Sequence, residues 1–358
     1  MEKIKMTKPK VLITAATGKT GFQAALQLLE AGFPVRAFVR RTDQRSEALR
    51  RHGAEILVGS LENIGEVRQA LEGIQRAYFC APLLDGCLRK SALFALLARE
   101  CNLELVVAMS QWLADPTHPS VHTRETWFAD QVFSQLSGID TVIVNPGWFA
   151  DNYMAAMEPI AQLGMMPMPL GEGLNAPPSN EDIARVVVGA LTNPAPHAGK
   201  TYRPTGPKLL SPEEIAATFG KVLGRPVQYR NVPLSMFSKV AKALGFPDFV
   251  IAQLHWYFQE YQKNAFGQGA PTRAVLDVTG RPPEDFETIV RRHVATSPYA
   301  RRSIGSRLRA FMSLGRILLT PSPDLEALAR ARDFASSRPA TLAVDSALWR
   351  ETHWVNDY

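Results

Sequence analysis

Val11-Leu12-Ile13-Thr14-Ala15-Ala16-Thr17-Gly18-Lys19-Thr20-Gly21 reads as the end of an apolar strand, a turn of small residues and the start of a helix. The helix continues with Phe22, Ala25, Leu26 and Leu29 on one face. Backbone N–H groups at such a helix start point outward and the helix dipole favours negative charge, so a dinucleotide pyrophosphate can be held there without side chains. Gly18 lets the backbone approach the phosphates, and Gly21 lets the helix lie close on the strand. Ala15 stands where the usual fingerprint has a further glycine. Its β-carbon is tolerable at negative φ and costs roughly 1–2 kcal/mol if the turn demands left-handed geometry.

Pro34–Val39 reads as a second strand that ends at Arg40-Arg41. About 20 residues past the glycines is where an acid would grip the ribose 2′-hydroxyl of NAD. Two arginines there suit a 2′-phosphate, so the pattern predicts NADP(H) in preference to NAD(H), with Lys19 and Arg45 as further phosphate neighbours. The bland alternative for Arg40 and Arg41 is a solvated strand end.

Short apolar runs and helical patterns go on alternating to about residue 145. Strands are expected at Lys10–Thr14, Pro34–Val39, Glu55–Val58, Ala77–Cys80, Leu103–Ala108 and Asp140–Val144, with helices near 19–32, 43–52, 62–73, 87–101 and 121–137. This order predicts an α/β fold: a Rossmann-type doubly wound parallel sheet. Ligands of such sheets sit at the carboxyl ends of the strands. Residues 8–150 are therefore expected to form the nucleotide-binding domain.

Beyond Phe149 the texture changes. Methionines crowd residues 154–168, and methionine suits both an adaptable pocket wall and plain core. Residues 151–299 are expected to form a smaller, mostly α-helical lobe, and Ser211-Pro212-Glu213-Glu214 is a capped helix start within it. Residues 300–358 read as a helical extension. There Ile304, Leu308, Phe311 and Met312 share a helical face, with Arg301, Arg302, Arg307 and Arg309 around them. A basic amphipathic helix can lie on an anionic membrane or grip a partner. The expectation is docking on its own protein with the arginines in solvent, and the 301–312 helix is the sole hint of a membrane surface. Ala343–Trp349 carries no assignable chemistry.

The bulk numbers describe an ordinary globular chain of 358 residues, 46% hydrophobic and 21% charged, with a net charge of +6. The basic residues are dispersed, so nucleic acid is not expected as a partner. Cys80, Cys87 and Cys101 have neither an even count nor ligand spacing; no metal is expected, and a reducing compartment fits. Residues 1–10 lack the apolar core of a signal peptide, and no apolar run approaches a membrane span, so the cytoplasm is the expected location.

Several landmarks together resemble the NmrA-like group of atypical short-chain dehydrogenases/reductases over about residues 8 to 295. They are Thr17-Gly18-Lys19-Thr20-Gly21, Val39-Arg40-Arg41, Gly59-Ser60-Leu61, Asn145-Pro146-Gly147-Trp148-Phe149 with Asn152, and Gly199–Pro207. Ser211–Ala216, Leu223–Val227 and Thr279–Pro283 are also similar. The resemblance implies a helical lobe that roofs a substrate cleft. It also implies a family in which working reductases stand beside redox sensors that bind NADP(H) and regulate partners. Thr17 to Gly21 would then hold the pyrophosphate, Arg40 and Arg41 the 2′-phosphate, and Ser60 and Leu61 the adenine. Ala81, Pro82 and Pro146 would line the ribose and nicotinamide.

Ordinary members of the wider superfamily use a tyrosine and a lysine four residues apart on one helical face, with a serine on the preceding strand. Ser110 supplies the serine. No tyrosine occurs between Tyr78 and Tyr153 and no lysine between Lys90 and Lys200; Thr123 and Trp127 stand where the pair would be. Candidate catalytic residues are Ser110, His122, whose imidazole titrates near neutral pH, and Trp127, which would stack on a flat ring. Trp148, Phe149, Asn152, Met154 and Met157 are the candidate substrate pocket. The expected function is NADPH-dependent reduction of a small hydrophobic carbonyl, quinone or enone. The alternative is a catalytically silent NADP(H) sensor with a protein partner.

Overall fold

The computed structural model describes residues 8–301, 303–325 and 339–353. Its first half alternates as the periodicity predicts: β1 (Val11–Ile13), α1 (Lys19–Glu30), β2 (Val35–Val39), α2 (Gln44–Arg51), β3 (Glu55–Val58) and α3 (Ile64–Leu71). β4 (Arg76–Phe79), α4 (Cys87–Glu100), β5 (Leu105–Met109), α5 (Val121–Ser134) and β6 (Asp140–Val144) follow. Polar side chains start these helices: Asp43 accepts from the N–H groups of Arg45 and Ser46, Asn63 caps α3, and Ser120 caps α5. Such caps satisfy N–H groups that the helix itself cannot.

The chain then enters a second lobe through a 3-10 segment (Ala150–Ala156), α6 (Met157–Leu163) and β7 (Met165–Met168). It next returns to the first unit. α7 (Asn180–Thr192) packs on α1, and β8 (Thr201–Tyr202) pairs in parallel with β6. All seven strands of this sheet run in the order β3-β2-β1-β4-β5-β6-β8. Residues 180–202 thus belong to the nucleotide-binding unit in space although they follow residue 150 in sequence. β1 is flanked by β2 and β4, with Val11 opposite both Val35 and Arg76. The strand order reverses there, and ligand crevices of open α/β sheets form at such a point.

The second lobe continues with α8 (Pro212–Leu223), β9 (Gln228–Asn231), α9 (Leu234–Ala243), α10 (Asp248–Gln262), α11 (Ala274–Thr279) and α12 (Phe286–Thr296). β7 and β9 form a two-stranded parallel ribbon. The predicted start of α8 is present as a reciprocal Ser211–Glu214 capping box. The core of this lobe gathers Trp148, Tyr153, Met157, Phe219, Tyr261 and Phe286, all buried.

The extension contains α13 (Ile304–Leu319) and α14 (Ala347–His353). α13 packs against α6 and α9, but the contact is made through its opposite side, where Ala310 is buried. Ile304, Leu308, Phe311 and Met312, the face expected to dock, are exposed. The helix docks on its own protein with Arg307 and Arg316 in solvent, as expected, but by the other side: a helix apolar on two sides buries only the one that faces the lobe. Arg302 and the Arg309 side chain lie outside the described residues. The stretch with no assignable chemistry is a docking segment. Trp349 is buried, its indole N–H donates to the Trp112 carbonyl at 2.8 Å, and its ring stacks on His353. Nearby, both Glu260 carboxylate oxygens accept from the tail, one from the N–H of Ala343 and the other from that of Val344.

Candidate nucleotide and hydride-transfer site

The turn after β1 is built for close approach. Ala15 adopts φ +48°, the left-handed case, so its β-carbon is carried at a cost. The Gly18 N–H donates to the Ala15 carbonyl at 2.7 Å, and Gly18 begins α1 without any side-chain cap. A β-carbon on Gly21 would sit 2.4 Å from the Ala15 carbonyl oxygen. These features leave the positive end of α1 open and its backbone tight on the strand, which fits a pyrophosphate. Thr17 is half-buried beside it. Thr20 is buried and its hydroxyl donates to Asn180 on α7 at 3.2 Å, so it braces the helix.

Lys19 is exposed and pairs with Asp151 at 2.7 Å, and His293 on α12 reaches the other Asp151 oxygen at 3.0 Å. Burial alone would raise the Asp151 carboxyl. The hydrogen bonds and charges of His293 and Lys19 outweigh it and hold the pKa at about 2. Donating its hydrogen bond to that carboxylate raises the His293 pKa in turn. Lys19, at the start of α1, is thereby tied to the helical lobe.

At the end of β2, Arg40 and Arg41 are exposed. Arg45, also exposed, pairs with Asp43 at 2.7 Å. Ser60 and Leu61 lie half-buried after β3; the Ser60 N–H donates to Glu66. Ala81 and Pro82 follow β4 and are half-buried, and the Cys80 N–H between them and the strand donates to the Thr14 hydroxyl at 2.8 Å. This bond joins the ends of β1 and β4 at the reversal point. Beside Pro146, the buried Asn145 carboxamide oxygen has no hydrogen-bond partner. An orphaned acceptor at a strand end is the kind of group a bound ligand satisfies.

Ser110 stands at the end of β5 and its hydroxyl lies 2.5 Å from the Asp130 carboxylate on α5. Burial pushes Asp130 up to about 7, against the lowering effect of the Ser110 hydrogen bond. Next to it the Gln111 amide donates to Thr126 at 2.8 Å, and its oxygen accepts from Thr123 at 3.2 Å and from the Tyr257 hydroxyl. Tyr257 comes from α10, so a phenol of the helical lobe meets Thr123, where a superfamily tyrosine would stand. His122 is buried. Desolvation, with Lys90 nearby, lowers its pKa to about 4, which keeps the imidazole neutral at physiological pH. Trp127 is half-buried and packs edge-on against Phe128.

Trp148 and Met157 are buried in the lobe core; Trp148 is surrounded by Tyr257, Phe258, Tyr261 and Phe266. Phe149, Asn152 and Met154 are half-buried around the 3-10 segment. The substrate set therefore divides into core residues and partly accessible ones. Asp130 and Tyr257 were not among the residues singled out from sequence. Asp130 left a signal: Thr123, Thr126 and Asp130 fall at i, i+3 and i+7, a polar stripe on a helix that packs inward. Tyr257 left none, because only tertiary packing brings α10 to β5. Among the described residues no group of His, Cys, Asp and Glu could hold a metal ion, and no helix is long and apolar enough to cross a membrane.

The chain belongs to the NAD(P)H-binding family, which it matches over residues 15–194, and residues 137–284 match the NmrA-like family. It is 29% identical over 290 residues to the NAD(P)H azoreductase of Xenophilus azovorans, an alignment covering 80% of this chain and 98% of that protein. The fold is that of the Escherichia coli NADPH-dependent quinone oxidoreductase solved with NADPH, at a TM-score of 0.68 and 21% identity over 78% of this chain and 98% of that one. It is also that of NmrA, a negative transcriptional regulator solved with NADP, at a TM-score of 0.66 and 16% identity over 83% and 100% of the two chains.

Proposed function

We propose that this protein is an NADPH-dependent reductase of a small hydrophobic carbonyl, quinone or enone. When bound, the nicotinamide coenzyme supplies a hydride to the acceptor. Thr17, Gly18, Lys19 and Gly21 would hold its pyrophosphate, Ser60 and Leu61 its adenine, and Ala81, Pro82 and Pro146 its ribose and nicotinamide. The two unencumbered arginines, Arg40 and Arg41, support selection of the 2′-phosphate. The azoreductase relative supports the reaction class, and the aromatic and methionine side chains around the 3-10 segment support an apolar acceptor.

The observation that carries the reading is the Ser110–Asp130 pair. An acid poised near neutrality is suited to proton transfer at physiological pH. Protonated Asp130 gives its proton to the Ser110 oxygen as the Ser110 hydroxyl proton passes to the acceptor oxygen, and the carboxylate is then reprotonated from solvent. This route replaces the missing tyrosine and lysine. The test is NADPH consumption against a panel of quinones, enones and aldehydes across pH. Turnover is expected to fall as pH rises through about 7, and Asp130→Asn and Ser110→Ala are expected to lower kcat with NADPH affinity kept. Wild-type levels of turnover in both variants would refute the relay.

The second reading, a silent NADP(H) sensor acting on a protein partner, draws on the absent tyrosine–lysine pair. Tight NADPH binding without turnover of any acceptor would establish it.

A further inference from the structure

The outer face of α13 has the pattern of a helix that lies in a membrane interface. At about 100° per residue, Ile304, Leu308, Phe311, Met312 and Leu319 fall within an arc of about 100°. All five are exposed, Ile304 by 90% and Leu319 by 88%. Arg307 and Arg316, both exposed, stand about 40° outside the two edges of that arc. Ala310, on the far side, is buried, so the helix is already anchored to its own protein and the apolar stripe is left over. α9 packs alongside and leads into Leu244 and Phe246, which are exposed too.

Charge selects the occupant. From Ser297 to Pro323 the sequence holds five arginines (Arg301, Arg302, Arg307, Arg309 and Arg316) and no acid. Arginines flanking an apolar stripe let the stem lie along acyl chains while the guanidinium reaches phosphate. A second copy of the chain is a poor occupant, since two-fold packing of this face would set arginines against arginines with no carboxylate in the segment to pair them. We infer that α13 docks the protein onto an anionic phospholipid bilayer, seated in the interface and not spanning it.

The test is co-sedimentation of the full-length protein with vesicles of phosphatidylglycerol and phosphatidylcholine, beside pure phosphatidylcholine vesicles. Binding is expected to the anionic vesicles, to weaken with salt, and to be negligible on the neutral ones. Arg307→Gln with Arg316→Gln should lower partitioning by about fivefold per charge. Leu308→Asp with Phe311→Asp should abolish it, and because both positions are exposed the far-UV CD and melting temperature should hold. Equal binding to neutral and anionic vesicles, or none to either, overturns the inference. So does a dimer in light scattering that the Leu308→Asp/Phe311→Asp variant dissociates, with no lipid binding: the face would then belong to a second copy.

Discussion

Replacing Asp151 by Asn tests the link between the start of α1 and the helical lobe. The carboxyl is 12% exposed and bridges Lys19 and His293. Its pKa of about 2 against an ordinary 3.8 corresponds to roughly 2 kcal/mol of stabilisation, at about 1.4 kcal/mol per pK unit. The Lys19 side chain is 64% exposed, so solvent screening cuts its part to below about 1 kcal/mol. A loss of about 1–2 kcal/mol on Asp151→Asn is the expected outcome. The pH dependence has two sides. Asp151 is depressed, so its contribution is present above 3.8 and is lost as pH falls through about 2. His293 is raised, so its contribution is full below 6.5 and is lost as pH rises through the elevated value. Urea denaturation of both proteins across pH should therefore give a stability gap that is widest between 3.8 and 6.5 and narrows on either side. The same substitution releases Lys19, so NADPH affinity should hold or rise by up to about fivefold. A gap that stays flat into the alkaline range, or is absent near pH 5, would refute the linkage.

Gly21→Ala should weaken NADPH binding and cost about 1–3 kcal/mol, because the new β-carbon meets the backbone carbonyl of Ala15 at 2.4 Å and backbone cannot swing aside; calorimetry with NADPH and a denaturant melt check both. Ala15→Gly should relieve the left-handed strain and stabilise by up to about 1 kcal/mol, offset in part by the freer unfolded chain; a loss of melting temperature would contradict it. Arg40→Glu should weaken NADPH far more than NADH, by about 10- to 100-fold for a lost arginine–phosphate contact, and equal losses for the two coenzymes would remove Arg40 from that role. Trp349→Ala should cost about 3–5 kcal/mol, as expected for a buried tryptophan, and should speed proteolysis of the 339–353 segment.

The sheet was legible because its determinants are local. Buried three- to five-residue runs such as Val11–Ile13 and Leu105–Met109 alternate with capped amphipathic helices, and six of the seven strands lie close to their predicted places. The pattern of residues 180–202 reads as a helix followed by a turn and a strand, but their return to that sheet was not legible, since nothing in the two-residue strand Thr201–Tyr202 says that it pairs with β6. The tight turn between β1 and α1 was legible from its small residues, and the geometry at Gly18 and Gly21 matches that reading. The surroundings of Ser110 could not be read that way: Asp130 reaches it only through tertiary packing of α5, and Tyr257 reaches Gln111 only through packing of α10. The extension's helix and its docking were legible but the docking face was not, because periodicity reports that a face is apolar without saying what covers it.

Glu260 carries a consequence for synthesis on the ribosome. Its carboxylate is fully buried with His118, and both of its oxygens take N–H groups from residues 343 and 344, more than eighty positions further along. Until those residues emerge, two of the hydrogen bonds that this buried side chain accepts in the finished fold cannot form. A lobe that closes before the tail arrives leaves those bonds unmade in its interior, a state that costs free energy until residues 343 and 344 dock.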